Sequence, residues 1–271
     1  MSINSLTSGA NASSGIVSTL ASNSKAISDI QIQLSTGKKI LDPAQQGVVT
    51  RLASQVTSYS AAHNNITKAQ NVLSVAATGL STISNLLTQM QDLANKANDP
   101  TMADSDKDKL NATFQHLLTQ VTTTANNSKV DGMGILADGL TGTLSIQTGL
   151  TASDSTDVTQ LGSSAADLSI DSLDISSTGD AAAAITALQD ALDTVSSNQS
   201  SVAADQAGLA SVDNLNSSIS ANLQNTIDSI QKPDAAQLQM DLQNLNNQQS
   251  MNYYLINQMN QEAQGVLSIF R

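Results

Sequence analysis

His63 and His116 are the residues best suited to move protons at neutral pH. A catalytic dyad would place one of them beside a nucleophile and an orienting acid. Both fall in helical stretches among polar neighbours, so they read as surface or seam histidines. The chain has no cysteine, which excludes disulfides, thiolate chemistry and Cys-ligated metals. Asp104, Asp106 and Asp108 alternate as in a calcium loop, but that loop's glycine and closing glutamate do not follow. They read as the acidic first turn of a helix. Asp154, Asp157, Asp167, Asp171 and Asp174 read as acidic solvated loops, with a cation or sugar site as the competing reading. Gly132 and Gly134 are turn glycines, since no Lys-Ser/Thr pair follows to complete a phosphate cradle. Tyr253 and Tyr254 are adjacent aromatics that belong either to a core or to a contact between copies. The expectation is no catalytic, cofactor-binding or metal-binding residue.

The composition narrows the class. The net charge is −12, with eleven Lys and Arg spread over 271 residues. Phosphate neutralisation needs basic patches, and anionic lipid needs them too, so neither nucleic acid nor membrane is an expected partner. Acidity here reads as solubility and mutual repulsion. Aromatics are only 2%, too few for a compact core built on large rings. Leu, Ile, Val and Ala mixed with many Ser, Thr, Asn and Gln suit thin helical bundles, each helix with a narrow apolar seam. No apolar run approaches the ~20 residues of a membrane span. Residues 1–15 carry no basic residue and no apolar stretch, and so do not read as a cleavable secretory signal.

Spacing of three and four residues dominates the chain. The first series is Ile16, Leu20, Asn23, Ile27, Ile30, Leu34. It stops at Gly37, a natural helix terminator, and Asp42-Pro43 follows. A second series starts at Val48 and runs through Leu52, Gln55, Tyr59, Ala62, Ile66, Ala69, Leu73, Ala76, Leu80, Ile83, Leu87, Met90, Ala94 and Ala97. That is about fifty residues in phase, or roughly 75 Å of helix. A third is Leu110, Phe114, Leu117, Val121, Thr124. From about 130 to 180, glycines punctuate short alternating runs: Thr143-Leu144-Ser145-Ile146, Leu168-Ser169-Ile170 and Leu173-Asp174-Ile175. These read as strands of a small β-hairpin region. Helix resumes near Asp180 along Ile185, Leu188, Leu192, Val195, Gln199 and Val202. It continues past Gly208, a weak spot, through Leu209, Val212, Ile219, Leu223 and Ile230. Lys232-Pro233-Asp234 ends it, and Pro233 and Asp234 both favour starting another helix. The last series is Leu238, Leu242, Leu245, Gln249, Asn252, Ile256, Met259, Ala263, Val266, Phe270.

The chain therefore reads as mainly α, an elongated rod of long antiparallel helices with a small β-hairpin region. Residues 43–233 form the rod domain. Residues 1–42 and 234–271 each supply a terminal helix, set off by the breaks at Pro43 and Pro233. A lone helix with a narrow seam is marginal, so the two ends are expected to pair as a coiled coil. Asn23, Gln249 and Asn252 put polar residues into that seam and weaken it. Such ends order fully only against neighbours. The expected assembly interface is Ile16, Leu20, Ile27, Ile30 and Leu34 from the first helix with Leu238, Leu242, Leu245, Ile256, Met259, Val266 and Phe270 from the last.

Three segments carry a resemblance. Leu34-Ser35-Thr36-Gly37-Lys38-Lys39-Ile40 is similar to an "LSSG-K/R-x-I" junction. Val130-Asp131-Gly132-Met133-Gly134-Ile135-Leu136 is similar to an "FNG-x-x-L" segment without its aromatic. Val266-Leu267-Ser268-Ile269-Phe270-Arg271 is similar to a "VLSLLR" ending. In this order and spacing they resemble bacterial flagellin, over about residues 1–136 and 181–271. The resemblance implies a structural, non-enzymatic subunit of an extracellular flagellar filament that serves motility, exported without a cleaved signal peptide. It implies terminal helices in an inner tube and the rod in an outer one. The implied partners are further copies in a helical homopolymer, the flagellar export apparatus and an export chaperone, and the filament cap and junction proteins. Only about fifty residues stand where many members carry a variable outer insertion, which implies little or no outer domain.

One departure concerns recognition. Where many flagellins present paired arginines in "QR-x-R-E-L" to a vertebrate innate receptor, this chain has Thr88-Gln89-Met90-Gln91-Asp92-Leu93. The resemblance then implies poor recognition, because Gln89 and Gln91 bring no positive charge. Two other readings compete with the filament subunit. One is a hook–filament junction protein, against which the ending Leu267-Ser268-Ile269-Phe270-Arg271 weighs. The other is a cell-surface polysaccharide-binding homologue, against which the shortage of aromatics weighs.

Overall fold

The computed structural model describes the backbone of residues 3–269 and the side-chain surroundings of residues 14–262, 264 and 265. Among the described residues there are five helices and four short strands. They are α1 (Ile3–Thr36), α2 (Pro43–Ala97), α3 (Asp104–Asn127), β1 (Lys129–Val130), β2 (Met133–Gly134), β3 (Thr143–Gln147), β4 (Ser155–Thr159), α4 (Thr178–Gln231) and α5 (Ala235–Ile269). This is the mainly α class with a small β-hairpin region that the sequence implies. The chain divides into two compact units, one of residues 1–53 and 224–271 and one of residues 54–223.

Local chemistry sets the helix ends. Gly37 stops α1 in the left-handed conformation at φ 64°, which glycine adopts without strain. Asp42 caps α2: its Oδ1 accepts from the Gln45 N–H at 2.8 Å, and Pro43 opens the helix with its φ already set. Asp234 repeats the device for α5, accepting from the N–H groups of Ala236 and Gln237, each at 3.1 Å. The two breaks are tied together where the Lys39 N–H donates to the Gln231 carbonyl at 2.6 Å.

In the 54–223 unit, α2, α3 and α4 share one apolar core. The α2 seam expected from the spacing is buried from Ala62 to Ala97, and Leu73, Ala76, Leu80, Ile83, Leu87 and Met90 are fully sealed. Phe114, Leu117, Val121 and Ala125 face it from α3. Cross-helix bonds from Gln91 to Gln189 (3.1 Å) and from His63 to Asp213 (2.6 Å) show α2 and α4 antiparallel. On α4 the buried stripe is Ala181, Ala184, Leu188, Ala191, Val195, Asn198, Val202 and Leu209, one residue off the expected Ile185, Leu192 and Gln199. Alanines take the innermost places, and Ile185 and Leu192 pack on the flank.

The connecting segment forms two antiparallel hairpins. In the first, Asp131 (φ 51°) and Gly132 (φ 80°) make the left-handed pair of a type I′ turn. In the second, Thr143 pairs with Thr159 and Gln147 with Ser155. Helix side chains hold it: Asn65 Nδ2 donates to the Gln147 carbonyl at 3.3 Å, Asn216 Nδ2 to the Thr148 carbonyl at 2.6 Å, and Asp205 Oδ2 accepts from the Thr159 N–H at 3.0 Å.

Leu168-Ser169-Ile170 and Leu173-Asp174-Ile175, read above as strands, are not strands: Leu168 and Ser169 lie in a turn, and Ile170 and Leu173–Ile175 are irregular. Their backbone groups bond locally or to α3 and leave no ladder. The Leu168 N–H reaches the Ser164 carbonyl, and the Ile170 N–H the Ala165 carbonyl. Asp167 accepts from the Ser164 N–H and hydroxyl. The Ile175 N–H donates to Asn111 Oδ1. The apolar–polar alternation arises because Leu168, Ile170 and Ile175 drop into the core of a loop that lies across the helices.

Two glycines test this packing. A Cβ on Gly79 would stand 2.1 Å from Ser128 Oγ and 2.9 Å from its Cβ, where the end of α3 crosses α2. Gly79→Ala should therefore destabilise by ~1–3 kcal/mol. Gly208 has nothing within 4 Å of its would-be Cβ. Gly208→Ala should stabilise by ~0.5–1 kcal/mol through helix propensity. Thermal unfolding followed by circular dichroism reads both; equal shifts for the two would refute the packing.

Asp174 gives a pH test. The Ser176 hydroxyl and N–H, with Asn111 Nδ2 at 2.8 Å, hold its carboxyl below the ordinary aspartate value. A lowered folded pKa contributes stability that is present above the unfolded value and is lost as pH falls through the folded one. Asp174→Asn should be less stable than the parent at pH 7, and the difference should shrink on acidification. A difference that persists unchanged to acid pH would count against the carboxylate's role.

Candidate assembly interface

Helices α1 and α5 pair antiparallel. Asn23 Nδ2 donates to Gln248 Oε1 at 3.4 Å, and the Lys39–Gln231 backbone bond closes the pair at its other end. The residues expected at the interface line this seam. Ile30 is 8% exposed, while Ile16, Leu20, Ile27, Leu34, Leu238, Leu242, Leu245, Ile256 and Met259 are half-buried. Val266 lies in α5 with its side chain outside the described residues, and Phe270 lies outside them altogether. Two helices share a single line of contact, so each seam residue keeps an outward edge.

The polar layer sits inside this seam. Asn23 is 8% exposed. Asn252 Nδ2 is buried and, among the described residues, meets no acceptor. An unsatisfied buried amide costs about 1–3 kcal/mol, which keeps the pair weak.

A second apolar surface was only half anticipated. Met251 is 62% exposed, Tyr254 67% and Tyr253 52%, and Met240 and Leu255 are also exposed. At 100° per residue, Met240, Met251, Tyr254 and Leu255 fall on the face of α5 turned away from the seam. On α1, Val17 and Ile32 are exposed off the seam as well. The core reading of the two tyrosines is thus wrong for the single chain: both rings face out. The signal was legible as a second helical stripe, but the dominant seam spacing masked it. The helices are nearly free of charge: α1 carries only Lys25 and Asp29, α5 only Asp241 and Glu262. Lys25 and Asp29 neutralise each other at 2.8 Å.

The residues considered for chemistry are dispersed. His63 bonds Asp213 across α2 and α4, and His116 is exposed on α3. Asp104 and Asp106 stand in the first turn of α3, where Asp106 pairs with Lys109 at 2.9 Å. Asp154 closes its own turn, and the Thr151 N–H holds its carboxyl below the ordinary aspartate value. Asp167 and Asp174 accept from their own loops, while Asp157 and Asp171 face solvent. Among the described residues, no group of three His, Cys, Asp or Glu is placed to hold a metal ion, and no helix is long and apolar enough to cross a membrane.

Known proteins are similar to this chain in sequence and fold. The family described as the bacterial flagellin N-terminal helical region matches residues 3–141. Flagellin FljO of Caulobacter vibrioides is 32% identical over 130 residues, which cover 46% of this chain and 47% of that protein. A flagellin of Listeria monocytogenes is 28% identical over 139 residues, covering 50% and 48%. The chain spans about half the length of the curated relatives it matches. A Vibrio parahaemolyticus protein of the flagellar hook-associated class shares the fold at a TM-score of 0.58 and 12% identity, over 69% of this chain and 98% of that one. With the family match spanning both long N-terminal helices and the first hairpin, the chain belongs to the bacterial flagellin family.

Proposed function

We propose that this chain is a structural subunit of an extracellular bacterial flagellar filament that polymerises through its terminal helices and acts by assembly, not by catalysis. The observation that carries the reading is the α1–α5 pair: a weak, half-open seam beside an outward stripe of Met240, Met251, Tyr254 and Leu255 with almost no charge around it. Large exposed apolar stripes are characteristic of interaction surfaces. In this reading residues 1–42 and 234–271 form the inner, assembling domain, and residues 43–233 the outer rod. The seam residues bury their open edges against neighbouring copies, in a heterologous contact that does not close. Membership of the family supports the remaining partners: the export apparatus and its chaperone before assembly, and cap and junction proteins at the filament's ends.

The fold likeness to a hook-associated protein favours a second reading, in which the chain is a junction component. Electron microscopy of the purified chain in high salt separates them. Long filaments from the full chain, and none after removal of residues 1–40 and 235–271, support the filament subunit. Short capped oligomers, or monomers only, support the junction component.

Substitutions sharpen the test. Ile27→Asp or Ile256→Asp puts a charge into the seam, which is costly unless the charge is paired, and should abolish filaments while the 54–223 unit stays folded. Tyr254→Asp should block filaments without loosening α1 from α5, because Tyr254 points away from the seam. Normal filaments from Tyr254→Asp would remove the outward stripe from the interface.

Recognition by the vertebrate innate receptor should be weak. Gln89 is exposed, and Gln91 is engaged with Gln189. Each lost charge-assisted bond is expected to lower potency roughly tenfold. A reporter-cell assay with full potency would refute this.

A further inference from the structure

Asn23 is the polar residue in the α1 seam between Leu20 and Ile27, and α5 offers it two partners. The one it uses, Gln248 Oε1, is 3.4 Å away, at the long limit of a hydrogen bond. One turn further along α5, Asn252 Nδ2 is buried with no acceptor among the described residues. In an antiparallel pair, each step forward on α1 is a step back on α5. The Asn23–Gln248 bond therefore sets Ile27 within one residue of Leu245 and Ile30 within one residue of Leu242. It also sets Leu20 within one residue of Asn252, the nearest inward-facing residue of α5, an apolar residue against an amide.

Sliding α5 by one turn, about 5.4 Å, brings Asn252 opposite Asn23. The two amides then face each other, and Leu20 faces Ile256 in place of Asn252. Ile16 comes level with Met259 and Ile30 with Leu245. The apolar–polar mismatch moves to Ile27, which now faces Gln249. Both arrangements hold one amide pair and one mismatch. We propose that the terminal helix pair is a two-register device in which α5 moves one turn along α1, between an Asn23–Gln248 register and an Asn23–Asn252 register.

The move is discrete. Side-chain ridges interlock only at whole-turn displacements, so intermediate slides lose packing without gaining hydrogen bonds. The observed register is latched beside the joints, where the Lys39 N–H meets the Gln231 carbonyl at 2.6 Å. Gly37 and residues 232–234 flank that latch and absorb the displacement when it opens. The inference concerns the single chain and holds whether or not the chain polymerises.

The absence of native cysteine makes the register readable by disulfide trapping on the full chain. Ile30→Cys with Leu242→Cys reports the observed register. Ile30→Cys with Leu245→Cys reports the shifted one, and Ile30→Cys with Leu238→Cys is a control slid the opposite way. Under mild oxidation the first two pairs should cross-link well above the control. Asn252→Leu repairs the mismatch of the observed register and removes the amide of the shifted one. It should lower the ratio of shifted to observed cross-link by about fivefold, the scale of one buried hydrogen bond. Gln249→Leu repairs the mismatch of the shifted register and leaves the Asn23–Gln248 amide pair of the observed one in place, so it should raise the ratio. Both substitutions make the seam more apolar, so general stabilisation cannot move the ratio in opposite directions. A shifted pair no faster than the control overturns the proposal, as does a ratio that ignores the two substitutions or moves the same way with both.

Discussion

A pair of helices has one seam, and one seam cannot be sealed. That geometric limit governs the behaviour of the unit formed by residues 1–53 and 224–271. The described apolar seam residues of α1 and α5, Ile30 apart, are half-buried: one side touches the partner helix and the other meets water. The contrast lies within the same chain. In the 54–223 unit the α2 seam meets α3, α4 and the loop through Leu168, Ile170 and Ile175, and its central residues are fully buried. The same kind of heptad spacing thus gives a finished core in one unit and an unfinished one in the other. The difference is the number of covering elements, not the apolar content of the helix.

An unfinished core is useful only if it does not close on itself. Asn23, Gln248 and Asn252 serve that end by making the intramolecular seam weaker than an all-apolar one would be. The joints limit the opposite failure, complete separation of the ends. Asp42 and Asp234 start their helices at fixed points, and the Lys39–Gln231 bond holds the two starts together. The pair is tethered firmly at one end and loosely along its length.

How much of this was legible follows from the kind of signal each part carries. Helix ends were readable because Gly37, Asp42-Pro43 and Pro233-Asp234 act on the backbone locally. The α2 seam was readable because its period holds over many turns. The α4 stripe came out one residue off, since Ala184 and Ala191 carry little weight in a hydrophobic pattern yet are buried in the core. The segment from Leu168 to Ile175 misled because alternation is shared by strands and by loops that dip residues into a core. The competing bonds to Asp167, Asn111 and Asp174 are long-range or turn-specific facts that a period does not encode. The outward tyrosines needed the helix pairing to be known before their direction could be.

Charge placement completes the argument. Copies carrying −12 each repel, and a wide acidic contact between them would fail. The terminal helices escape this because their few charges are Lys25, Asp29, Asp241 and Glu262, of which the first two cancel each other. In the proposed assembly, contact through these faces would desolvate Met, Tyr, Leu and amide groups, not carboxylates. Amides also form hydrogen bonds with like amides, so a surface rich in Asn and Gln is complementary to copies of itself in a way an acidic one is not. The acidic remainder, screened over about 10 Å at moderate salt, still opposes random association. In the proposed assembly, repulsion over most of the chain and a neutral, amide-rich surface at its ends would together favour contact through the terminal helices.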